Sequence, residues 1–143
     1  MPLKILHIAP QNFAGMPYDF VRMDKSTGAD SRLITLFKNT INFEEDICFN
    51  FRLPGGKAAK RWRDSKITKT SLPELKYNQP DNIIEKIYFS LRDERNKNKI
   101  NSAIKKYDLY DYDIYHFDGG MDFFRDLRFA KELKKRQKKI VTC

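Results

Sequence analysis

Five short runs of mostly apolar residues alternate along the chain with segments of helical periodicity or polar loops. The strands that these runs predict cover residues 3–9, 31–37, 46–51, 113–117 and 139–143. Strands that are apolar at nearly every position, rather than at every second one, are typical of a sheet that is covered on both faces. The pattern therefore predicts a sheet that is buried on both faces rather than one with a solvent-exposed face.

Three segments carry helical signals. The first begins near Pro17, whose fixed φ suits a first helical turn, and ends at Gly28. The second begins at Asp81 as N-cap, and the charged stretch Arg92–Lys99 predicts a break in it. The third begins at Asp122. The apolar positions predicted to face inward are Ile83, Ile84, Ile87, Tyr88, Leu91, Ile100, Ala103 and Ile104 in the second helix, and Phe124, Leu127, Ala130 and Leu133 in the third.

The order of these elements, β-α-β-β-α-β-α-β, defines the expected fold class. Strands joined by crossover helices favour a mainly parallel sheet with helices on both faces. The sequence thus predicts an α/β, Rossmann-like three-layer sandwich in one domain, residues 1–143. The pattern fails at about residues 57–80, where we expect an exposed, basic and partly irregular insertion.

The charge balance favours anionic partners. The chain has 28 Lys and Arg against 19 Asp and Glu, a net charge of +9, which suits nucleic acid, phosphorylated metabolites or an acidic membrane face. One basic cluster lies in the insertion around Trp62, and the other, residues 125–139, lies along the third helix. The candidate anion-facing patch of the first cluster is Lys57, Lys60, Arg61, Trp62 and Arg63. The alternative for this patch is a solvated insertion in a basic protein.

Several classes are disfavoured by the sequence. It contains no apolar run of the roughly 20 residues that cross a bilayer, and its amino terminus does not resemble a signal peptide. The two cysteines, Cys48 and Cys143, lie in runs that predict buried strands and have no partner at metal-ligand spacing. We therefore expect a cytoplasmic protein without a metal site.

Ligands of open parallel sheets collect beyond the carboxyl ends of the strands, so two loops are of interest. The first follows the first strand and contains the candidate substrate-binding residues Asn12, Ala14 and Gly15. It enters a helix, whose free N–H groups and dipole suit an anion. It has neither a Gly-x-Gly-x-x-Gly fingerprint nor a Walker A lysine, and the alternative is that Gly15 merely turns the chain.

The second loop follows the fourth strand. His116 and Asp118 are two positions apart and should point to the same side of the pleat, where they could act as a hydrogen-bonding pair or general base. Gly119 would let a ligand approach the backbone. The alternative is a structural strand-end histidine, with Asp118 as a turn or cap residue. His7, in the middle of the first strand, is interpreted as a core histidine.

Both loops lie in segments that resemble a known family. Residues 4–10, followed by a glycine-containing loop into a helix, resemble the opening of group 1 glycosyltransferases with the two-domain GT-B architecture. Residues 112–119 resemble their "D-[IV]-[IV]-H-x-H" segment, and residues 138–143 resemble the strand before their "hGSD" loop. The chain departs from the family at Ala14, where adjacent glycines are common, and at Asp118, which replaces the second histidine.

The resemblance implies transfer of a sugar from a nucleotide-diphosphate donor to an acceptor hydroxyl of a sugar or a lipid-linked sugar. Gly15 and its neighbours would line the diphosphate side, with His116 and Asp118 near the sugar as catalytic candidates. The basic patch would face the acceptor or an anionic membrane. The donor is held mainly by a carboxyl-terminal domain in this family, so we expect this chain to bind no cofactor and to be inactive alone.

The end of the sequence within an apolar run predicts a fragment, truncated after the fifth strand. The alternative function is a non-catalytic nucleic-acid- or nucleotide-binding α/β domain, motivated by the charge. Nucleic acid is the less favoured partner, because the aromatic residues occupy predicted core positions and no recognised motif is present.

Overall fold

The structure of the chain, a computed structural model, describes residues 1–39, 41–51, 61, 82–124 and 126–143, without the side chain of Phe89. The strands in these residues are β1 (Lys4–Ala9), β2 (Asp30–Thr35), β3 (Ile47–Cys48), β4 (Ile114–Phe117) and β5 (Lys139–Thr142). The helices are α1 (Met16–Ser26), α2 (Ile83–Lys106) and α3 (Arg128–Lys135). Two short 3-10 turns lie at Phe13–Gly15 and Asp118–Gly120.

The strands form one parallel sheet in the order β3-β2-β1-β4-β5. Helix α1 covers one face, where Val21 packs with Ala9 and Leu33. The other face packs against residues of α2 and α3, including Ile100 and Leu133. The chain is therefore an α/β protein with a Rossmann-like three-layer sandwich, as the sequence predicted.

The larger core lies on the face away from α1. Its biggest fully buried side chains are Tyr115 and Phe129, which pack with Leu6 and Ile8 of the central strand. Complete burial of a large apolar side chain contributes about 1.5–3 kcal/mol. This core fixes β1 and β4 side by side, and those strands carry the candidate site.

The described chain divides into two compact units, one of residues Met1–Phe51 with Asn96–Cys143 and one of Arg52–Arg95. The first contains the whole sheet and both candidate loops. The second includes the positions of about 57–80, where the sequence predicts an insertion, and most of these lie outside the described residues.

Helix α2 differs from its prediction in two respects. It is continuous through Arg92–Lys99, because Arg, Glu and Lys are good helix formers and the helix contains neither glycine nor proline. The apolar residues of its first half are exposed, whereas Ile100 in its second half is buried in the larger core. Those residues, predicted to face inward, are Ile83, Ile84, Ile87, Tyr88 and Leu91. Asp81 lies outside the described residues, and Asn82 caps the helix by accepting the N–H of Glu85 at 2.8 Å.

Helix α3 starts six residues later than predicted, at Arg128, because Leu127 before it adopts a left-handed conformation with φ 57°. Asp122 still caps it across the intervening loop, accepting the N–H of Ala130 at 2.7 Å. Leu127 is exposed rather than buried, and Phe129 fills the core in its place.

Strand β5 is the edge strand of the described sheet and is largely exposed, so its prediction as a buried strand was wrong. Cys143 follows it and is also exposed, whereas Cys48 is half-buried. Among the described residues, no helix has the length and apolar character needed to cross a membrane.

Candidate functional site

The reversal of strand order occurs between β1 and β4, which are hydrogen-bonded neighbours at the centre of the sheet. The chain leaves these two strands toward opposite halves of the sheet, and we call the space between the two loops that follow them the crevice. Such switch points are where open α/β sheets bind ligands. The two loops predicted from the sequence are the loops that follow β1 and β4.

The loop after β1 has the backbone of a glycine pair. Gly15 is the N-cap of α1 with φ 79°, and Ala14 before it also has a positive φ, of 53°. A Cβ on Gly15 would lie 3.8 Å from the Phe43 ring, an ordinary contact, so the conformation rather than space calls for glycine there. Two consecutive residues of this loop, Ala14 and Gly15, therefore have a positive φ.

The first N–H groups of α1 are already in use. Met16 donates to the carbonyl of Phe13, Pro17 has no N–H, and Tyr18 donates to Asn12 Oδ1 at 3.3 Å. An anion at this helix end would have to compete with these partners. This geometry favours the alternative in which the loop mainly turns the chain.

Asn12 supports the loop from inside. Its side chain is 1 % exposed, and its amide nitrogen donates to the carbonyl of Glu44 at 2.6 Å. The backbone carbonyl of Asn12 accepts a hydrogen bond from Asn39 Nδ2 at 2.9 Å. The structure thus places the Asn12 side chain beneath the loop and not in the crevice.

The loop after β4 brings together the two candidate catalytic residues. His116 Nε2 lies 3.1 Å from Cys143 Sγ, and the same sulfur lies 3.8 Å from Asp118 Oδ1. Both side chains therefore lie near the same sulfur, with His116 on β4 and Asp118 in the turn that follows it. Gly119 follows with φ 64° and open space around its Cα, and its N–H donates to the Cys143 carbonyl at 3.0 Å.

A second histidine lies next to His116. His7 is its register partner across the β1–β4 pair, and their Nδ1 atoms are 2.9 Å apart. The Phe20 ring of α1 covers both, with centroids 6.3 Å from His7 and 5.9 Å from His116. His7 is buried, as predicted, but it belongs to a polar network and not to the apolar core.

The network continues from β1 into α1 and β2. Asp24 Oδ2 lies 2.6 Å from His7 Nε2 and accepts the hydroxyl of Ser31 at 2.9 Å. The carboxylate of Asp24 is about a quarter exposed. A continuous hydrogen-bonded row, which we call the histidine relay, therefore runs from Asp24 through His7 and His116 to Cys143.

The proton positions in the relay follow from Asp24. A carboxylate only accepts, so His7 donates through Nε2 and, while neutral, carries a lone pair on Nδ1. His116 then donates its Nδ1–H to that lone pair. Its Nε2 is left as the acceptor at the crevice, facing Cys143.

The surroundings of His116 favour its neutral form. Burial lowers the pKa of His116 below the ordinary 6.5, and the neighbouring His7 lowers it further. Asp118 and Asp24 act in the opposite direction but do not reverse the shift. The imidazole is thus held in the state that can accept a proton near neutral pH.

Four of the five residues of the basic patch predicted in the insertion lack a described position. Arg61 is exposed, and Lys57, Lys60, Trp62 and Arg63 lie outside the described residues. Its role as an acceptor or membrane surface stays a prediction. In the described part of the chain, no group of three or more His, Cys, Asp or Glu side chains could hold a metal ion.

A surface pocket of about 560 Å³ lies near the opposite edge of the sheet. It is lined by residues that include Asn101, Lys105 and Asp111, in α2 and the segment before β4. None of the sequence-predicted site residues borders it. Its position at the amino ends of parallel strands makes it a weaker candidate than the crevice.

The sequence reasoning missed three members of the relay. His7 was interpreted as a core residue, while Asp24 and Cys143 were not considered for the site. Their pairing with His116 depends on the strand order, and the signal that could have indicated it is a histidine in each of the two strands that meet at a switch point.

Comparison of the chain with protein-family models, with curated proteins and with solved structures gives no match.

Proposed function

We propose that this chain is the amino-terminal, acceptor-side part of a glycosyltransferase. The enzyme would move a sugar from a nucleotide-diphosphate donor to a hydroxyl of a sugar or lipid-linked acceptor. The proposal rests on the resemblance of residues 4–10 and 112–119 to group 1 glycosyltransferases. The observation that supports it most is that His116 and Asp118 share one side of the crevice at the β1–β4 switch point.

His116 and Asp118 have different roles in this proposal. His116 Nε2 carries a lone pair that can accept the proton or hydrogen bond of a sugar hydroxyl, because the relay assigns its other nitrogen as the donor. Asp118, half-buried and two residues further on, offers a carboxylate to a second hydroxyl. A pair of acceptors side by side suits a polyhydroxyl ligand.

The nucleotide has no equally clear place in this chain. Gly15 lies in the loop that follows β1, but the first N–H groups of α1 have partners within the protein. The donor would therefore be bound mainly by a second α/β domain, as the resemblance implies. We expect the present chain alone to be inactive and to bind nucleotide-sugars weakly.

The test is release of nucleoside diphosphate from a panel of nucleotide-sugars by the full gene product. His116→Gln and Asp118→Asn should each lower kcat/KM by about a hundredfold, the lower end for a lost acid–base group. Asp126→Asn, a change at an exposed carboxylate that pairs with Arg128, is the matched control. Absence of transfer from every donor, or full activity of both variants, would overturn the proposal.

A further inference from the structure

Cys143 ends the histidine relay, and its environment is that of the described chain. Its sulfur lies 3.1 Å from His116 Nε2, and the residue is exposed. With His116 donating through Nδ1 to His7, the thiol is the donor in this contact and Nε2 the acceptor. The chain thus contains a thiol paired with a neutral imidazole, the arrangement that generates nucleophilic cysteines.

The relay offers a place for the positive charge that forms when the thiol loses its proton. Transfer from Sγ to His116 Nε2 leaves His116 as an imidazolium, which can pass its Nδ1 proton to His7 Nδ1 across 2.9 Å. His7 then carries the charge, with Asp24 Oδ2 at 2.6 Å from its other nitrogen. Ser31 holds that carboxylate in position through a 2.9 Å hydrogen bond.

We propose that Cys143 is a reactive thiol, activated by the His116–His7–Asp24 relay, that is modified by small uncharged carbon electrophiles. In the reaction the thiol proton passes to His116, the sulfur forms a bond to the electrophilic carbon, and the leaving group departs with the electrons of its bond to that carbon. The inference rests on the relay and not on the proposed sugar transfer, although both use His116 Nε2 as the acceptor.

The surroundings of the sulfur specify the kind of electrophile. Asp118 Oδ1 lies 3.8 Å from Sγ, so an anionic reagent would be repelled at short range. Apolar groups flank the same side of the sheet: Phe20 is 44 % exposed and contacts the His116 ring, and Val141, the register partner of His116, is 41 % exposed. A small neutral reagent fits this setting better than a charged one.

Cys48 provides an internal control, because the described chain holds both thiols in different environments. It is half-buried, and burial raises the pKa of its thiol. The rate of alkylation of each cysteine by iodoacetamide and by iodoacetate at neutral pH can be followed separately by peptide mass spectrometry. Cys143 should react faster than Cys48 and faster than glutathione, with a preference for iodoacetamide over iodoacetate.

The variants separate activation from simple exposure. His116→Gln should slow alkylation of Cys143 about tenfold, because a thiolate-stabilising partner is lost, while the rate at Cys48 reports whether the fold is kept. Asp24→Asn keeps the contact between His116 and Cys143, and it should also slow the alkylation of Cys143. Asp118→Asn should reduce the difference between the rates at which iodoacetamide and iodoacetate alkylate Cys143. A Cys143 rate equal to that of glutathione, or one unchanged in both His116→Gln and Asp24→Asn, would overturn the proposal.

Discussion

His7 and His116 lie opposite each other on the two central strands, with their rings 5.0 Å apart and inclined by 87°. The Nδ1 atoms face each other at 2.9 Å, so one ring donates and the other accepts. A second proton between them has no place in this geometry. The pair can therefore carry one proton at this contact, and the state of each ring depends on the other.

Burial of His116, with His7 beside it as the smaller cause, makes the stability of the protein depend on pH. The pKa of His116 is lower in the folded state, so folding favours its neutral form. Above the ordinary pKa of 6.5 the histidine is neutral in both the folded and the unfolded state, and its ionisation does not reduce the free energy of unfolding. Stability should fall as the pH is lowered from 6.5 through the folded-state pKa of His116. Urea unfolding at several pH values between about 7.5 and 5 should show the loss. In His116→Gln the slope in this window should be smaller, and an unchanged slope would contradict the assignment.

Asp24 should contribute more to stability than other carboxylates of α1. Asp24→Asn replaces the charged acceptor of two side-chain hydrogen bonds, from His7 and Ser31. Because bonds to a charged, largely buried group are at stake, we expect a loss of about 1–3 kcal/mol in the free energy of unfolding. Asp19→Asn, in the same helix but exposed beside Arg22, should change it little. Equal effects of the two variants in urea unfolding would argue against a buried relay.

The loop after β1 allows a paired test of backbone conformation. Gly15→Ala should destabilise the protein by about 1 kcal/mol, because a Cβ is unfavourable at positive φ. Ala14→Gly should instead stabilise the protein, because glycine adopts the φ of 53° at this position without strain. The gain in the free energy of unfolding should be under about 1 kcal/mol, because glycine also increases the conformational freedom of the unfolded chain. Thermal unfolding of both variants gives the comparison. A loss of stability in Ala14→Gly would refute the left-handed conformation at that position.

The hydroxyl of Tyr115 joins the segment before β4 to the core. It donates to the Leu109 carbonyl at 2.9 Å and accepts the Tyr112 N–H at 3.2 Å, and burial raises the pKa of Tyr115 to about 12. Tyr115→Phe leaves both backbone groups without this partner and should cost about 1–3 kcal/mol. Tyr110→Phe, on a half-buried ring stacked on Phe129, is the control and should be nearly neutral. Denaturant unfolding of the two variants distinguishes them.

The strands were predictable because their signal is local. The apolar runs around Leu6, Leu33 and Tyr115 each suffice to indicate a strand buried in a sheet, and crossover helices imply parallel pairing. The relay was not predictable in the same way, because His7 and His116 are 109 positions apart. Only the strand order brings them into register, and a single sequence does not specify that order.

The errors at the helices arose because a local signal does not specify the tertiary contacts of a helix. Asp122 was correctly identified as a cap, but it reaches Ala130 across a loop, so the position of the helix could not follow from the cap alone. In α2 the apolar side chains of Ile83 and Ile84 carry the pattern of a buried face and yet are exposed. Amphipathic spacing indicates which side of a helix is apolar, but not where along its length packing begins.

The long separation between the central strands has a kinetic consequence. Closing the chain between His7 and His116 costs roughly 1.6 kcal/mol more loop-closure entropy than closing it between His7 and Asp24, which are 17 positions apart. The β1–α1–β2 unit can therefore assemble early, while the β1–β4 pair must wait for a much larger loop to close. Because the row of polar groups from Asp24 to Cys143 crosses that pair, we expect it to be completed late in folding. A chain trapped before this step would already have much of its helical content, yet it would lack the connection between its two histidines.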